Sequence, residues 1–482
     1  MSNLSDLLPA GAGAKSASFT ASGTLSSGQT VILQSDGTVK AVGLDAVSES
    51  FGSQQGPGET STARGLSMYV PSVEAVVTVY ANSSGYLTGV VSTVSGETVT
   101  YGTPSVIRSS STDMTLVGIA YDSDNDYVCV SYKGGSNYPT LVLLYGITTT
   151  SFTASSETTI NSSGGGATGL TYDTANNKLV AGYVRSSSLY ARVITITAGS
   201  PPSASVGSQV TVNTSNVTNN FDIGFDVGQG SVVFAYDWAS GDATYVEVGQ
   251  VSGTSITFGT GDDITGGTRR AGKVRVLYDT ASSKSLVIIM SSTNNSFCHC
   301  PITVSGTSFT AGTFTEEAIY FYYMDAIYYE QANKAVVFGS LTTASQEINV
   351  YLVTVSGTSS SSSSRGSLVD TSTSPYPGRP ASVASENNVL QTYRYTGNTI
   401  QSKIYTPAHN ATNSANFVGI TDQAIADTAT GSVVVEGGVT EKVSGLTTGS
   451  TYYVQDDGTL STTSSSVTAG KALSATKLLL NG

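Results

Sequence analysis

The stretch Gly169-Leu-Thr-Tyr-Asp-Thr-Ala-Asn-Asn-Lys-Leu-Val-Ala-Gly-Tyr-Val184 sets the reading of the whole chain. Gly169 to Tyr172 has the length of a short strand. Asp173 to Asn177 is an Asx-rich turn, where side-chain oxygens accept hydrogen bonds from nearby backbone N–H groups. Lys178 to Val184 alternates apolar and small residues, the pattern of a half-buried strand. A second turn at Ser186 to Ser188 leads to another alternating run, Leu189 to Thr197, and Val206 to Val212 supplies a fourth strand.

This unit recurs. Its anchor, an aromatic that ends an apolar strand and is often followed by Asp, stands at Tyr69, Tyr121, Tyr172, Phe225, Tyr278 and Tyr329. Ala384 marks a weaker seventh copy, and the steps are 52, 51, 53, 53, 51 and 55 residues. Eleven residues after the anchor a second tyrosine stands at Tyr80, Tyr132, Tyr183, Tyr236 and Tyr395, with Ile289 and Ser340 in the fifth and sixth copies. Val-Ser-Gly follows at Val94, Val251, Val304 and Val355. Seven copies of a four-stranded unit predict an all-β chain, a seven-bladed β-propeller of four-stranded antiparallel blades. A solenoid is the competing architecture, but its repeats are usually shorter. The seventh copy offers three strands, Pro380 to Ala384, Val389 to Tyr395 and Thr399 to Tyr405. Val47 to Phe51 is therefore expected to supply its outer strand.

A second duplication brackets the repeats. Gly28-Gln-Thr-Val-Ile-Leu-Gln-Ser-Asp-Gly-Thr-Val39 and Gly449-Ser-Thr-Tyr-Tyr-Val-Gln-Asp-Asp-Gly-Thr-Leu460 share one pattern. Asp-Gly between alternating residues marks a hairpin, because Gly tolerates the positive φ of a tight turn. The expected organisation is a flexible arm over 1–19, a small β module from 20–45 plus 412–482, and the propeller over 46–411. The two terminal segments could form one module or two. Ser359 to Ser364 reads as a mobile low-complexity tip.

Composition narrows the function classes. Charged residues are 11% of the chain, against about 25% in ordinary globular proteins. The 39% hydrophobic content, 27 Tyr and 13 Phe exclude wholesale disorder. A net charge of −13 disfavours nucleic acid and anionic membranes as partners. There is no apolar run of about 18 residues, so no membrane insertion is expected. Three cysteines make no disulfide framework. The segment Met1 to Lys15 lacks a basic start followed by an apolar core, so export by the usual secretory route is not expected.

Little in the chain points to catalysis. His299 and His409 are the only histidines, which leaves little for triad chemistry. On a strand, Cys298 and Cys300 share one face and His299 takes the other. Zinc would require further ligands, so two small core residues are expected there. Asp122 to Asp126 resembles the start of a calcium loop, but Tyr127 and Lys133 stand where Gly and an acidic residue are required. A plain turn is expected. A sugar-cleaving propeller would use two carboxylates, drawn from Asp222, Asp226, Asp237, Asp242, Glu316, Glu317, Asp325 and Glu330. The Ser-x-Asp-x-Gly-x-Thr-Trp box of bacterial sialidases is absent. No enzyme activity, catalytic residue, metal or cofactor is therefore expected. Aromatic side chains that stack on sugars or meet a partner are the candidate contacts: Tyr320, Tyr322, Tyr328 and Trp238.

The Tyr-Asp…Lys-Leu-Val…Val-Ser-Gly-Thr-Ser repeat resembles propeller repeats in virion proteins of marine tailed bacteriophages. Leu7 to Lys15, Phe417 to Ala426, Gly449 to Leu460 and Lys471 to Leu480 are similar to attachment modules of phage head or tail appendages. The resemblance implies a structural virion protein, a tail fibre or spike or a capsid knob or fibre. Its terminal module would dock, and its propeller would serve host-surface adhesion or shell decoration. It implies a place on the virion surface, assembly in the host cytoplasm and release by lysis. Its partners would be other virion proteins and host-surface glycan, and its state a homo-oligomer, with a trimer favoured. A secreted glycan-binding lectin and a polysaccharide-degrading propeller are the alternatives.

Overall fold

The computed structural model describes residues 15–111, 113–134, 138–166, 168–214, 216–342, 347–369, 375–395 and 398–481. Among them every regular element is a strand or a one-turn 3-10 helix. The chain divides into two compact units, Met1–Ser48 with Ala408–Gly482, and Glu49–Pro407.

The larger unit is a seven-bladed propeller. Blade 1 runs outward through Leu66–Val70, Ala75–Ala81 and Tyr86–Ser95 to an outer edge made by Thr98–Tyr101 and Ser105–Ser111. Blades 2 to 5 begin at the innermost strands Asp113–Asp122, Thr168–Asp173, Phe221–Asp226 and Ala271–Asp279. The long strand Thr315–Tyr329 first pairs with Ser296–Ser305 as an outer strand of blade 5. It then crosses over to pair with Lys334–Leu341 as the innermost strand of blade 6. Blade 7 begins at Tyr376–Pro377 and Ala381–Val383, which pair in turn with Asn388–Tyr395.

Second strands such as Ala75–Ala81 are buried along their whole length, because blades cover both of their faces. That favours near-continuous apolar runs over alternation. Apolar cores follow between each pair of neighbouring blades. The last joins Ala381, Val383, Leu390 and Ile404 of blade 7 to Val76, Val94 and Val99 of blade 1. That core closes the ring and excludes a solenoid.

Ring closure uses the earlier part of the chain. Ser50–Phe51 pairs antiparallel with Tyr405 and Thr406 as the outer strand of blade 7. Glu49 accepts hydrogen bonds from Arg365 of blade 6 at 2.8 and 3.0 Å and from the Tyr405 hydroxyl at 2.5 Å. Val47 instead pairs with His409 in the smaller unit.

Seven equivalent four-residue turns follow the innermost strands. Each ends on a residue with positive φ: Glu74, Asp126, Asn177, Gly230, Ser283, Asn333 and Asn387. In blades 2 to 5 an Asp caps the turn; Asp173 Oδ1, for example, accepts from the N–H groups of Ala175 and Asn176 at 2.9 and 3.0 Å. Asp122 does the same for Asp124 and Asn125, so the calcium-like stretch is a capped turn.

Strand register corrects the repeat alignment in two copies. Tyr278 pairs with Ser285, and its equivalents are Tyr328, opposite Ala335, and Ser382, opposite Val389. The anchors are therefore Tyr328 and Ser382, not Tyr329 and Ala384, and the last two steps are 50 and 54 residues. The second tyrosine of blade 7 is accordingly Tyr393, fully buried, and not the half-buried Tyr395. In blade 6 that position is Gly339. A Cβ there would lie 2.1 Å from the Phe321 ring, which fills the space a tyrosine takes elsewhere.

Two further expectations are corrected. Ser359 to Ser364 is no tip: Ser359–Val369 is the outer strand of blade 6, paired with Ile348–Ser356. Backbone pairing needs no particular side chain, and serine suits a solvent-facing edge. Nor is all of 1–19 an arm, since Ser16–Thr20 pairs with Thr430–Val434. Residues 1–14 lie outside the described residues.

The smaller unit has two five-stranded sheets, one holding each duplicated hairpin. The hairpins share the same Asp–Thr turn bonds. Asp36 Oδ1 accepts from Thr38 N and Oγ1 at 2.9 and 2.7 Å, and Asp457 Oδ1 from Thr459 N and Oγ1 at 2.9 and 2.6 Å. Gly37 and Gly458 both take φ +82. Ile32, Ile420 and Val434 of one sheet share a core with Tyr452, Val454 and Leu478 of the other, so the chain ends build one module.

Candidate functional site

The innermost strands end at a basin on the propeller axis, a cavity of ≈ 580 Å³. Five aromatic anchors from successive blades line it: Tyr121, Tyr172, Phe225, Tyr278 and Tyr328. Met68 of blade 1 and Ser382 of blade 7 complete the wall, and Ser123, Thr174, Thr280, Glu330 and Gln331 bring polar groups from the turns.

The anchors reach back onto the preceding blade. Tyr328 Oη donates to Asp279 Oδ1 at 2.7 Å, and Tyr172 hydrogen-bonds Asp122. Tyr121 bonds Ser72 of blade 1 as well as Asp126 of its own turn. The Tyr278 hydroxyl sits over Gly228, where a Cβ would come within 2.5 Å of it. Burial, with the neighbouring carboxylate adding to it, pushes the Tyr328 phenol up to about 12. The Tyr328 ring is consequently neutral over the ordinary pH range and held by its bond to Asp279, as a stacking surface should be.

The floor of the basin is ionic. Three residues before each anchor, the strands carry Asp222, Arg275, Asp325 and Arg379 in blades 4 to 7. Arg275 lies between two carboxylates, 2.8 Å from Asp222 and 2.9 Å from Asp325. Arg379 is 3.2 Å from Asp222 and donates to the Ile119 carbonyl at 3.0 Å. Blades 2 and 3 have Gly118 and Gly169 at this level. At Gly118 a Cβ would come within 2.7 Å of the Leu170 nitrogen, so no side chain fits.

The four expected contact residues do not form one site. Tyr328 lines the basin. Tyr320 and Tyr322 are each 47% exposed, but they lie on the crossover from blade 5 to blade 6, towards the opposite end of the strands. Trp238 is half-buried and packs edge-on against Tyr245, ring centroids 4.8 Å apart. Tyr121, Tyr172, Phe225 and Tyr278 were legible as repeat anchors and not as a site. The clue was the recurrence itself, which puts equivalent residues on one axis.

Most of the acidic residues considered for catalysis have structural partners. Asp237 is held by Arg270 at 2.9 Å and Glu316 by Arg269 at 2.6 Å, while Glu317 meets His299 at 3.2 Å. Asp226 caps its turn and accepts from Ser285 at 2.8 Å. Cys298 and Cys300 are fully buried in a blade core, and burial pushes both thiols up to about 11. No group of three or more metal-ligating side chains occurs among the described residues.

No family model and no curated protein sequence matches the chain. Among solved structures it is similar to the BP39L lectin from Burkholderia pseudomallei, with a TM-score of 0.54 and 11% identity over 73% of this chain and 99% of that one. The β-propeller domain of Myceliophthora thermophila Cps50 (Swd1) gives 0.46 and 9%, covering 76% and 99% of the two chains. AofleA from Arthrobotrys oligospora gives 0.41 and 10%, covering 69% and 92%. The likeness is one of fold.

Proposed function

We propose that this chain is a non-catalytic glycan-binding propeller whose sugar site is the axial basin. One observation carries the reading: five aromatic side chains from five successive blades converge on a single cavity of ≈ 580 Å³. Aromatic walls cover the apolar faces of sugar rings, and a few polar groups at the rim fix their orientation. The fold-level likeness to a bacterial lectin is in keeping with this reading. The test is a glycan array, followed by calorimetry on the intact chain. Saturable binding of a saccharide, weakened about tenfold in Phe225→Ala and yielding no new reducing ends, is the expected result. No saccharide bound at millimolar concentration would overturn it.

A second observation favours a role in a larger assembly. The chain ends form a module of their own, with twin Asp-Gly hairpins on two sheets. We propose that this module docks the propeller on a tailed-phage particle, as a tail or capsid appendage. Mass spectrometry of purified particles tests this; absence of the chain from them would refute it.

A further inference from the structure

Beyond the ionic floor the axis continues into a second, narrow cavity of ≈ 70 Å³. Arg275 and Arg379 line both cavities, so one layer of charge closes each from the other. On the far side two more cations join the lining, Arg64 and Lys273, five residues before the anchors of blades 1 and 5. The charged groups lining this cavity are four cations, Arg64, Lys273, Arg275 and Arg379, against two carboxylates, Asp222 and Asp325. Burial pushes both carboxyls up and Arg275 pulls them back; protonation of either would only enlarge the cationic excess. Arg64 Nη1 is buried with no hydrogen-bond partner among the described residues. Stacking unpaired positive charge in a confined, weakly solvated space is costly unless an anion offsets it.

We propose that the far end of the propeller axis is a binding site for a small oxyanion, held by Arg64 and Lys273 above the Asp222–Arg275–Asp325–Arg379 layer. Guanidinium groups offer paired N–H donors that suit phosphate, sulfate and carboxylate. The cavity's size limits the ligand to a single such group, either a free ion or one acidic substituent of a saccharide. The site is separate from the aromatic basin and does not depend on sugar binding there. Lys273 adds a pH response: its ammonium is pushed down to about 7, first by the neighbouring Arg64 and then by burial, with Asp325 opposing. Besides these groups, Asp222, Arg275, Arg379 and the Tyr323 phenol face the cluster. A bound anion holds the proton on Lys273, so affinity falls as pH rises through about 7.

The test is titration of the full chain with sodium sulfate, sodium phosphate and glucuronate, against sodium chloride at equal ionic strength, read by calorimetry and thermal melting. The expected result is saturable binding with a Tm rise of about 2–4 °C that chloride does not reproduce. Sulfate, whose charge is constant from pH 6 to 8.5, should bind more weakly at the higher pH in the wild type and with little pH dependence in Lys273→Gln. Arg64→Gln should weaken binding at least tenfold, and Arg64→Lys should retain more of it. Binding of glucuronate without sulfate or phosphate assigns the site to an acidic saccharide; binding of the inorganic ions assigns it to a free ion. No saturable binding of any of the three by the wild type overturns the proposal, whatever the variants do. Equal affinity in wild type and in a folded Arg64→Gln/Lys273→Gln chain overturns it too.

Discussion

The hydroxyl of Tyr328, on the innermost strand of blade 6, donates to the carboxylate of Asp279 in the turn of blade 5 at 2.7 Å. The same Asp279 oxygen accepts from the N–H groups of Ala281 and Ser282. One carboxylate thus shapes its own turn and latches the next blade. This explains why Tyr and Asp recur together: each residue serves a different blade.

Removing the latch hydroxyl should loosen one blade interface without unfolding it. Tyr328→Phe is expected to cost about 1 kcal/mol, the usual net worth of a hydrogen bond. Blade 4 supplies the converse, because Phe225 has no hydroxyl to offer the Asp173 turn. Phe225→Tyr should gain up to about 1 kcal/mol. Chemical denaturation of the two variants beside the wild type measures both signs.

Acid should open the ring at its seam. Burial alone would raise the Glu49 carboxyl, but hydrogen bonds from Arg365 and Tyr405 outweigh it and hold the group below the usual range. A depressed carboxylate contributes stability above its unfolded value, and that contribution is lost as pH falls through the folded value. Glu49→Gln should cost about 1 kcal/mol at pH 7, the pair being partly exposed, and should flatten the wild type's loss below about pH 4.5. Hydrogen exchange of the Tyr405 and Thr406 amides against pH reports the seam directly.

Blade 4 holds a carboxyl of the opposite kind. Glu247 accepts from Tyr236 at 3.1 Å, and burial pushes it up to about 7. Between its unfolded value near 4.5 and about 7 the folded state binds more protons, so this group's contribution to stability falls as pH rises through that window. Glu247→Gln keeps the acceptor and removes the ionisation. The variant should match the wild type near pH 4.5 and melt higher above pH 7, with Tm measured across the range.

Gly339 and Phe321 make a compensated pair. Gly339→Ala puts a methyl into the Phe321 ring and should cost about 1–3 kcal/mol, as overpacking does. Phe321→Leu in the same chain should recover part of that loss. A double-mutant cycle showing simple additivity would contradict the packing described for blade 6.

Much of this fold could be read from the chain because a blade is local. Its strands, its turns and its Tyr-Asp latch fall within about 52 residues. The axis could not be read in the same way. Asp222, Arg275, Asp325 and Arg379 share one level only when the register is right, and Tyr328-Tyr329 offered two equivalent anchors one residue apart. Counted from Tyr329 and Ala384, Asp325 and Arg379 stand four and five residues before their anchors, and the charge layer is not visible. A one-residue slip turns every side chain to the other face of its strand. Tyr320, Tyr322 and Trp238 lie away from the basin, and residue type alone does not tell which end of a strand a ring occupies.

Ser50 pairs with Thr406, so the chain goes into the propeller and comes out of it at neighbouring positions on two adjoining strands. A host fold that parts its sequence at two adjacent points can exchange what it carries without rebuilding itself. The propeller is thus a cassette, and a different domain with equally close termini could take its place. It is also doubly tethered: a protease that cuts only one of the two crossings, near Ser48 or near Pro407, leaves the cargo attached by the other.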